Sequence, residues 1–338
     1  MTPTQYGVTL VWSDEPNQYR TTERAASPQS SEDMDHTYLE EILQHEAHME
    51  KLTLPDVDRI DSQPEIQWYM RRYLVDFLIA AHSKLCLLPE TLFRAVNLVD
   101  RYCSKRVVYK KHYKLLGCTA LLIAAKYSKG NHVEETTSIP QISTLEKMCF
   151  HVYDRDLFIK MEKHVLDTLD WTIGYPTVHR FFELHKENEE HDQEVEHMSA
   201  YFCEIALYHR DFVSIKPSLM CRASLLLSRA ILRRNQADSG GGHDLENHTS
   251  NILQRQLGEP SPYVKYKYSG VEFSGVAHKV AHFMASHAAA HDHSTESSAL
   301  CAEKSDKEVT GFDSARQQCI GGLFHPFPTP PGTPRSGY

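Results

Sequence analysis

The sequence lacks a membrane-length apolar segment, a paired-cysteine motif and an excess of positive charge. Its longest apolar stretch, Leu115 to Ala125, falls short of the ~20 residues that a membrane-spanning helix needs. The eight cysteines include no C-x-x-C pair, which favours reduced thiols. Lys and Arg number 36 against 45 Asp and Glu, a net charge of −9, which argues against nucleic acid as the main partner. Since the N-terminus does not resemble a signal peptide, we expect an acidic, soluble protein of the nucleus and cytoplasm.

The motifs of common enzyme classes are also missing. The sequence shows no Gly-rich phosphate loop and no nucleophile–base motif. His45-Glu46-Ala47-His48 is one residue shorter than the zinc motif H-E-x-x-H, so its second His leaves the face of the first. His278 and His282 lie four residues apart on a predicted helix, where a solvated His-rich surface is the simpler interpretation. We therefore predict a protein that is not an enzyme and needs no metal or other cofactor.

Helical periodicity dominates what is present. From Thr37 to Asp170 apolar residues recur at steps of three and four, as in Leu92, Val96, Val99 and Cys103. Leu115 to Ala125 is apolar on every side, which predicts a central helix surrounded by others. No run of alternating strands is found, and the pattern therefore predicts an all-α fold.

The helical pattern returns about 104 residues later along the chain. Leu115 to Ala124 falls against Leu219 to Ser228, and the small residues of one helix face are kept. The same offset aligns the helix of Ala95 to Cys103 with that of Ser199 to Leu207. An offset shared by several helices indicates two copies of one helical domain.

These observations divide the chain into five segments. We expect a disordered leader over 1–36, an N-terminal helix over 37–60, a first helical domain over 61–176 and a second over 177–292. Ser239 to Gly242 predicts a flexible insertion over 236–262, and the Ser-, Gly- and Pro-rich composition of 293–338 predicts a disordered regulatory tail.

Three motifs resemble the cyclin family. Met70 to Phe77 resembles the M-R-x-x-L-V-D-W stretch that opens the cyclin box, although Phe77 replaces the common Trp. Leu98 to Tyr102 is similar to L-x-D-R-F/Y, and Leu116 to Tyr127 resembles the central helix of the box. The enlarged polar loop before Glu162 makes the chain most similar to fungal G1/S cyclins. The resemblance implies two tandem cyclin boxes, each a five-helix bundle around a central helix.

The resemblance also implies a function. Cyclins are non-catalytic regulatory subunits that bind and activate a cyclin-dependent protein kinase, here at the G1/S transition, with substrate proteins carrying short docking motifs as further partners. An alternative is a transcription-type cyclin-fold scaffold at promoters, which the net charge of −9 disfavours. No nucleic-acid or membrane partner is expected.

Seven residues match positions at which cyclins contact the kinase. The family grips the regulatory helix of the kinase with a Lys and a Glu, here Lys126 and Glu162, because an ammonium can donate to helix-end carbonyls. The other matching residues are Tyr38, Ile42, Ile123, Tyr127 and Trp171. Two alternatives remain at this stage: Lys126 caps its own helix while Glu162 is solvated, and Ile123 and Trp171 are core residues. Ser128 and Lys129 stand where relatives carry acidic residues, which leaves the choice of kinase open.

A second group of residues matches the cyclin patch that docks short R-x-L peptides. Met70, Leu74 and Phe77 share one helix face, flanked in relatives by the positions of Arg71, Asp76 and Lys114. The alternative is that this face is buried core.

The tail contains a candidate regulatory motif. Thr329-Pro330 and Thr333-Pro334 lie within a segment that resembles the T-P-P-x-[ST] phosphodegron read by F-box ubiquitin ligases. Phosphorylated, each Thr would carry nearly two negative charges, suited to Arg pockets. The alternative is an unmodified Pro-rich tail.

Overall fold

A computed structural model describes residues 31–131, 139–186, 192–234 and 244–299. Across these residues the protein is entirely helical, which confirms the predicted all-α fold. The chain divides into two compact units, residues 1–45 and 46–338.

The helices are listed here in chain order. They are α1 (Ser31–Leu52), α2 (Val57–Asp61), α3 (Trp68–Lys84), α4 (Pro89–Lys105), α5 (Lys110–Asn131), α6 (Ile142–Met148), α7 (Arg155–Thr168), α8 (Val178–Lys186), α9 (Gln193–Ala206), α10 (Pro217–Leu232), α11 (Asp244–Arg255), α12 (Pro262–Lys267) and α13 (Val276–Ala299). Short 3₁₀ turns at Arg210–Phe212 and Val271–Phe273 complete the described elements.

Local sequence signals fix several helix starts. Asp154 caps α7 by accepting a hydrogen bond from the backbone N–H of Leu157, and Asp192 caps α9 in the same manner. Pro89 and Pro217 occupy the first turns of α4 and α10, where the missing N–H costs no helical hydrogen bond.

The core of each repeat surrounds one buried helix. In the first, Leu115 to Ala125 of α5 is buried throughout and packs most closely against α4, as its all-round apolar pattern predicts. In the second, α10 packs most closely against α9. The α4–α5 and α9–α10 pairs are the helices that the 104-residue offset aligns.

Polar contacts join the two repeats. Arg71 of α3 donates from Nε to the carbonyl of Leu207 at 2.6 Å. Asp76 accepts hydrogen bonds from the hydroxyls of Tyr208 at 2.7 Å and Ser261 at 2.5 Å. Burial raises the pKa of Asp76, although the hydrogen bonds from Ser261 and Tyr208 oppose the shift. The α3 helix is therefore tied directly to the second repeat.

The structure corrects the predicted boundaries at the N-terminal side. The helix begins at Ser31, so residues 31–36 do not belong to a disordered leader. The single helix predicted over 37–60 is two helices, α1 and α2. Pro55 separates them, because proline supplies no N–H to continue a helix.

Two further boundaries differ in the second repeat. Residues 244–255 form α11, which packs on α10 and buries Leu253 completely, so the predicted flexible insertion of 236–262 is wrong over this part. Residues 235–243 lie outside the described residues. Helix α13 continues to Ala299, past the predicted start of the tail at 293; the remainder, 300–338, is outside the described residues.

Candidate functional site

Lys126 and Glu162 form an ion pair at the surface between α5 and α7. The Nζ of Lys126 lies 2.5 Å from Oε1 of Glu162. The Lys126 side chain is 45% exposed, whereas that of Glu162 is 16% exposed. The predicted pair is thus brought together, with its ammonium open to solvent and its carboxylate held against the protein.

Lys126 is not a helix terminus in the structure. Helix α5 continues from Lys126 to Asn131, so the alternative in which this residue caps its own helix is not observed. The next turn points inward: Ser128 is buried, and its hydroxyl accepts hydrogen bonds from Arg94 at 2.6 Å and Thr91 at 3.3 Å. Ser128 therefore helps to fix the end of α5 rather than extend the charged surface.

Tyr127 is held between two groups that sequence analysis did not single out. The guanidinium of Arg94 lies 4.9 Å from the centre of its ring, a favourable cation–π distance. A Cβ on Gly174 would lie 3.0 Å from the Tyr127 hydroxyl, so the absence of a side chain there permits the close approach. Burial lowers the pKa of Arg94. Tyr127 is consequently half-buried and fixed beside Lys126.

Trp171 projects from the turn that ends α7, with 64% of its surface exposed. Asp170 and Trp171 both have left-handed backbone angles, φ 53° and 56°, and the Trp171 N–H bonds to the Leu166 carbonyl at 3.0 Å, as in a helix C-terminal cap. The exposure excludes the core alternative for Trp171.

Two cations of α4 hold this turn in place. Arg101 donates to the Thr172 carbonyl at 2.8 Å, and burial lowers the pKa of Arg101 to about 10, so it stays charged at neutral pH. Lys105 donates to the Thr168 carbonyl at 3.3 Å and pairs with Asp170 at 3.2 Å. Cations near a helix C-terminus are favourable electrostatically, and these two set the direction in which Trp171 projects.

Helix α7 adds an exposed apolar residue that the sequence analysis missed. Ile159 is 45% exposed and precedes Glu162 by three positions, so both lie on one helix face. The sequence could have indicated this residue, because it lies three positions before Glu162, a predicted contact residue. Lys126, Tyr127, Ile159, Glu162 and Trp171 together are called the α5–α7 face below.

Ile123 is not part of this face. Ile123 is 2% exposed and packs in the core, so its prediction as a surface contact is wrong. Ile42 is half-buried on α1. Tyr38 lies on the same helix, in a part whose side chains are not described. Both α1 residues belong to the first compact unit.

The predicted peptide-docking patch is not a surface. Met70, Leu74 and Phe77 are buried, with exposures of 4%, 3% and 4%. Leu74 packs so closely on α5 that a Cβ on Gly117 would lie 2.6 Å from its Cδ1. The Nζ of Lys114 lies 4.2 Å from the centre of the Phe77 ring. This face is core, as the alternative stated, and its prediction as an exposed docking surface is wrong.

The polar residues expected beside the patch have structural contacts instead. Arg71 is buried and forms a bidentate pair with Asp100, with Nη2 and Oδ2 at 2.8 Å. Burial alone would lower the pKa of Arg71, but the charge and hydrogen bonds of Asp100 outweigh it and raise the pKa above its ordinary value. Asp76 binds the second repeat, as described above. Both side chains are occupied in holding the fold.

Metal-binding clusters and membrane-spanning helices are absent from the part of the chain that the structure describes. Among the described residues no group of three or more His, Cys, Asp or Glu side chains has a metal-binding arrangement. No helix in the same residues combines the length and apolarity required to cross a membrane. Thr329 and Thr333 lie outside the described residues, so the phosphodegron stays a prediction.

Comparison with known proteins gives matches over both repeats. The family model for the cyclin N-terminal domain matches residues 41–174, and that for the cyclin C-terminal domain matches residues 176–259. The G1/S-specific cyclin CCN1 of Candida albicans is 38% identical over 226 residues, which cover 61% of this chain and 32% of that protein. The G2/mitotic-specific cyclin-B of Emericella nidulans is 34% identical over 206 residues, covering 61% and 42% respectively.

A solved structure shows the same fold. The X-ray structure of a viral cyclin from herpesvirus saimiri superposes with a TM-score of 0.54 at 19% identity, covering 64% of this chain and 96% of that one. The chain spans about a third of the length of the C. albicans G1/S relative.

Proposed function

This chain belongs to the cyclin family, and we propose that it is a regulatory subunit that binds and activates a cyclin-dependent protein kinase at the G1/S transition, in the nucleus and cytoplasm. The family relationship is carried by both helical repeats. Its relatives include G1/S-specific cyclins of Candida albicans, which supports the stage proposed here.

The α5–α7 face is the observation that supports kinase binding. It presents one ammonium, one carboxylate and exposed apolar side chains within a rigid setting. Such a combination suits a partner helix, because the ammonium can donate to carbonyls left unpaired at a helix end while Trp171 and Ile159 bury apolar surface. The Arg94, Arg101 and Lys105 contacts hold these groups in position before a partner arrives, which reduces the entropy lost on binding.

Activation would follow from positioning the kinase's regulatory helix. A kinase holds ATP productively only when a β3 Lys is paired with a Glu of that helix. A cyclin that binds the inward position of the helix selects the active state. Moving the kinase from mostly inactive to mostly active requires differential binding of about 5.5 kcal/mol, which a helix-on-helix interface with a few buried anchors supplies.

The test is capture of the kinase by variants of the α5–α7 face. We expect Lys126→Ala and Glu162→Ala each to reduce the amount of purified fungal cyclin-dependent kinase retained by at least tenfold. Arg222→Ala is a matched control, because Arg222 pairs with Glu246 at 2.6 Å between α10 and α11, away from the face, with side-chain exposures of 48% and 18% that are close to those of Lys126 and Glu162. Equal retention by all four proteins, with unchanged circular dichroism, would contradict the proposal.

We also propose that Thr329 and Thr333 form a phosphodegron read by an F-box ubiquitin ligase. The proposal rests on the two Thr-Pro sites of the tail, which a proline-directed kinase bound to the cyclin would phosphorylate. In a cycloheximide chase, the double substitution of both threonines by Ala should lengthen the half-life severalfold. Thr310→Ala, a tail threonine without a following proline, is the control. An unchanged half-life in the double variant would reject the degron.

A further inference from the structure

Two cysteines of the first repeat lie in contact with each other. Cys118 on α5 and Cys149 at the end of α6 place their Sγ atoms 3.3 Å apart. Both are free thiols, and both are buried. In the part of the chain that the structure describes, no other two cysteines are hydrogen-bonded to each other. Because the S–S bond of a disulfide is about 2.05 Å long, an approach of about 1 Å would let these sulfur atoms bond.

The turn that carries Cys149 is fixed against α5. It leads from the end of α6 to Asp154, which caps α7. The hydroxyl of Tyr153 in this turn donates to the Lys111 carbonyl of α5 at 2.8 Å, and Cys149 meets Cys118 about two helical turns further along α5. A bond between the two sulfur atoms would therefore join segments that are already held together.

The acidity of Cys149 differs from that of the other buried thiols. Burial raises the pKa of Cys103 and that of Cys221, which keeps both thiols protonated. The hydrogen bond with Cys118 and the charge of Lys114 lower the pKa of Cys149, although burial opposes the shift. Burial and the neighbouring sulfur raise the pKa of Cys118. Since the thiolate is the nucleophile, Cys149 is the member of the pair suited to react first.

Cys149 is separated from solvent by a short and strained segment. Phe150 and Val152 are exposed by 56% and 69%. Phe150 and His151 have left-handed backbone angles, φ 54° and 55°, which are costly for residues with a side chain. Such a segment opens locally at a lower free-energy cost than a helix core. A small oxidant would therefore reach Cys149 without unfolding the repeat.

We propose that Cys118 and Cys149 form a peroxide-sensitive thiol pair, which closes to a reversible disulfide between α5 and the turn that enters α7. The Cys149 thiolate attacks one oxygen of hydrogen peroxide and becomes a sulfenic acid, while the O–O bond breaks and the released hydroxide takes up the proton that Cys149 had lost. The Cys118 sulfur then attacks the sulfenic sulfur, and the displaced hydroxide leaves with the Cys118 proton as water. Two thiols are oxidised to one disulfide, and one peroxide is reduced to two water molecules.

The disulfide would act on the two helices that present the α5–α7 face. Cys118 lies two turns before Lys126 on α5, and Cys149 lies just before α7. A cross-link restricts the unfolded chain, so the oxidised repeat should be harder to unfold. The sequence motif C-x-x-C could not indicate this pair, because its members are 31 residues apart.

The test is peptide mapping of the full chain after treatment with hydrogen peroxide and alkylation of the remaining thiols. Trypsin places the two cysteines in separate peptides, 115–126 and 148–155, so the disulfide yields a linked pair that is lighter by two hydrogen atoms than its parts. We expect this linked pair to form at least tenfold faster than Cys103 and Cys221 lose their thiols. It should disappear with dithiothreitol, and the linked protein should melt several degrees higher than the reduced one.

Three variants distinguish the pair from general oxidation. Cys149→Ala should give neither the linked peptides nor a rise in melting temperature. Cys118→Ala should leave Cys149 as a sulfenic acid, which dimedone labels. Cys221→Ala removes a buried thiol of the second repeat and is the matched control, with an unchanged yield of the linked peptides.

The unaltered chain gives a decisive result even where a variant folds poorly, because the exposed Cys86 reports that the oxidant is active. Oxidation of Cys86 without the linked peptides would overturn the proposal. So would linked peptides that form only in urea, or a linked protein that melts no higher than the reduced one. The experiment needs no kinase, so failure of the disulfide and failure of kinase binding are observed separately.

Discussion

Asp100 in the first repeat and Glu204 in the second occupy matching positions of aligned helices, yet their surroundings differ. Both oxygens of Asp100 are bound by the guanidinium of Arg71. Glu204 binds Lys267 and Tyr268 through one oxygen, while the other is buried without a partner in the described residues. The first acid completes a closed core, whereas the second lines a cavity.

The helix faces that carry small residues also differ between the two repeats. In the first repeat Gly117 brings α5 close to Leu74. In the second, hydroxyl groups take part: Ser199 and Ser228 are hydrogen-bonded at 2.9 Å, where the aligned residues of the first repeat are Ala95 and Ala124. The positions of Ala95 and Ala124 in the first repeat are therefore occupied in the second by two serines that are hydrogen-bonded to each other.

The largest expected difference concerns the two acids. Asp100→Asn leaves the buried Arg71 without its counter-ion and should lower the free energy of unfolding by about 3–5 kcal/mol. Glu204→Gln should cost about 2 kcal/mol, because one of its oxygens has no bond to lose and Lys267 remains 20% exposed. Urea denaturation of both variants measures the difference. Equal losses would show that the two acids contribute alike.

A smaller effect is expected at the close helix approach. Gly117→Ala would place a Cβ 2.6 Å from Cδ1 of Leu74 and should cost about 1–2 kcal/mol through overpacking. Cys221→Ala, at the aligned position of the second repeat, introduces no such clash and serves as the matched control. Thermal unfolding of the two variants compares them; greater loss in the Cys221 variant would reverse the expected order.

The smallest effect is expected for the buried hydroxyl pair. Ser228→Ala should cost about 1 kcal/mol, because it leaves the Ser199 hydroxyl with a weaker set of partners. The double replacement of Ser199 and Ser228 by Ala reproduces the first-repeat pair and should cost less than the two single changes added together. A double-mutant cycle in urea measures this coupling, and strict additivity would count against it.

Sequence reasoning succeeded where a motif fixed two residues on separate helices. The resemblance to cyclins implies that Lys126 and Glu162 act together, and α5 and α7 bring the two side chains into contact. It failed for Met70, Leu74 and Phe77, since an apolar stripe has the same spacing whether it faces a core or a partner. Ile123 failed for the same reason.

The second repeat was harder to predict for a different reason. Residues 244–255 are mostly polar and a nearby Gly run suggests a flexible segment, yet Leu253 is fully buried and Ser250 donates to the Ala223 carbonyl of α10, so α11 packs on the core. The contribution of Arg94, Arg101 and Lys105 was also missed. Their roles depend on carbonyls and rings supplied by distant segments, which periodicity does not reveal.

The hydrogen bonds from α3 to the second repeat can form only after most of the chain has been synthesised. Asp76 leaves the ribosome long before Tyr208 and Ser261, which lie 132 and 185 residues further along the chain. Until those hydroxyls emerge, its carboxylate has neither donor, and the Arg71 Nε lacks the Leu207 carbonyl. In a nascent or prematurely terminated chain, Arg71 and Asp76 therefore lack these partners. Such unsatisfied polar groups are a feature by which chaperones and quality-control proteases can distinguish an incomplete chain from the finished cyclin.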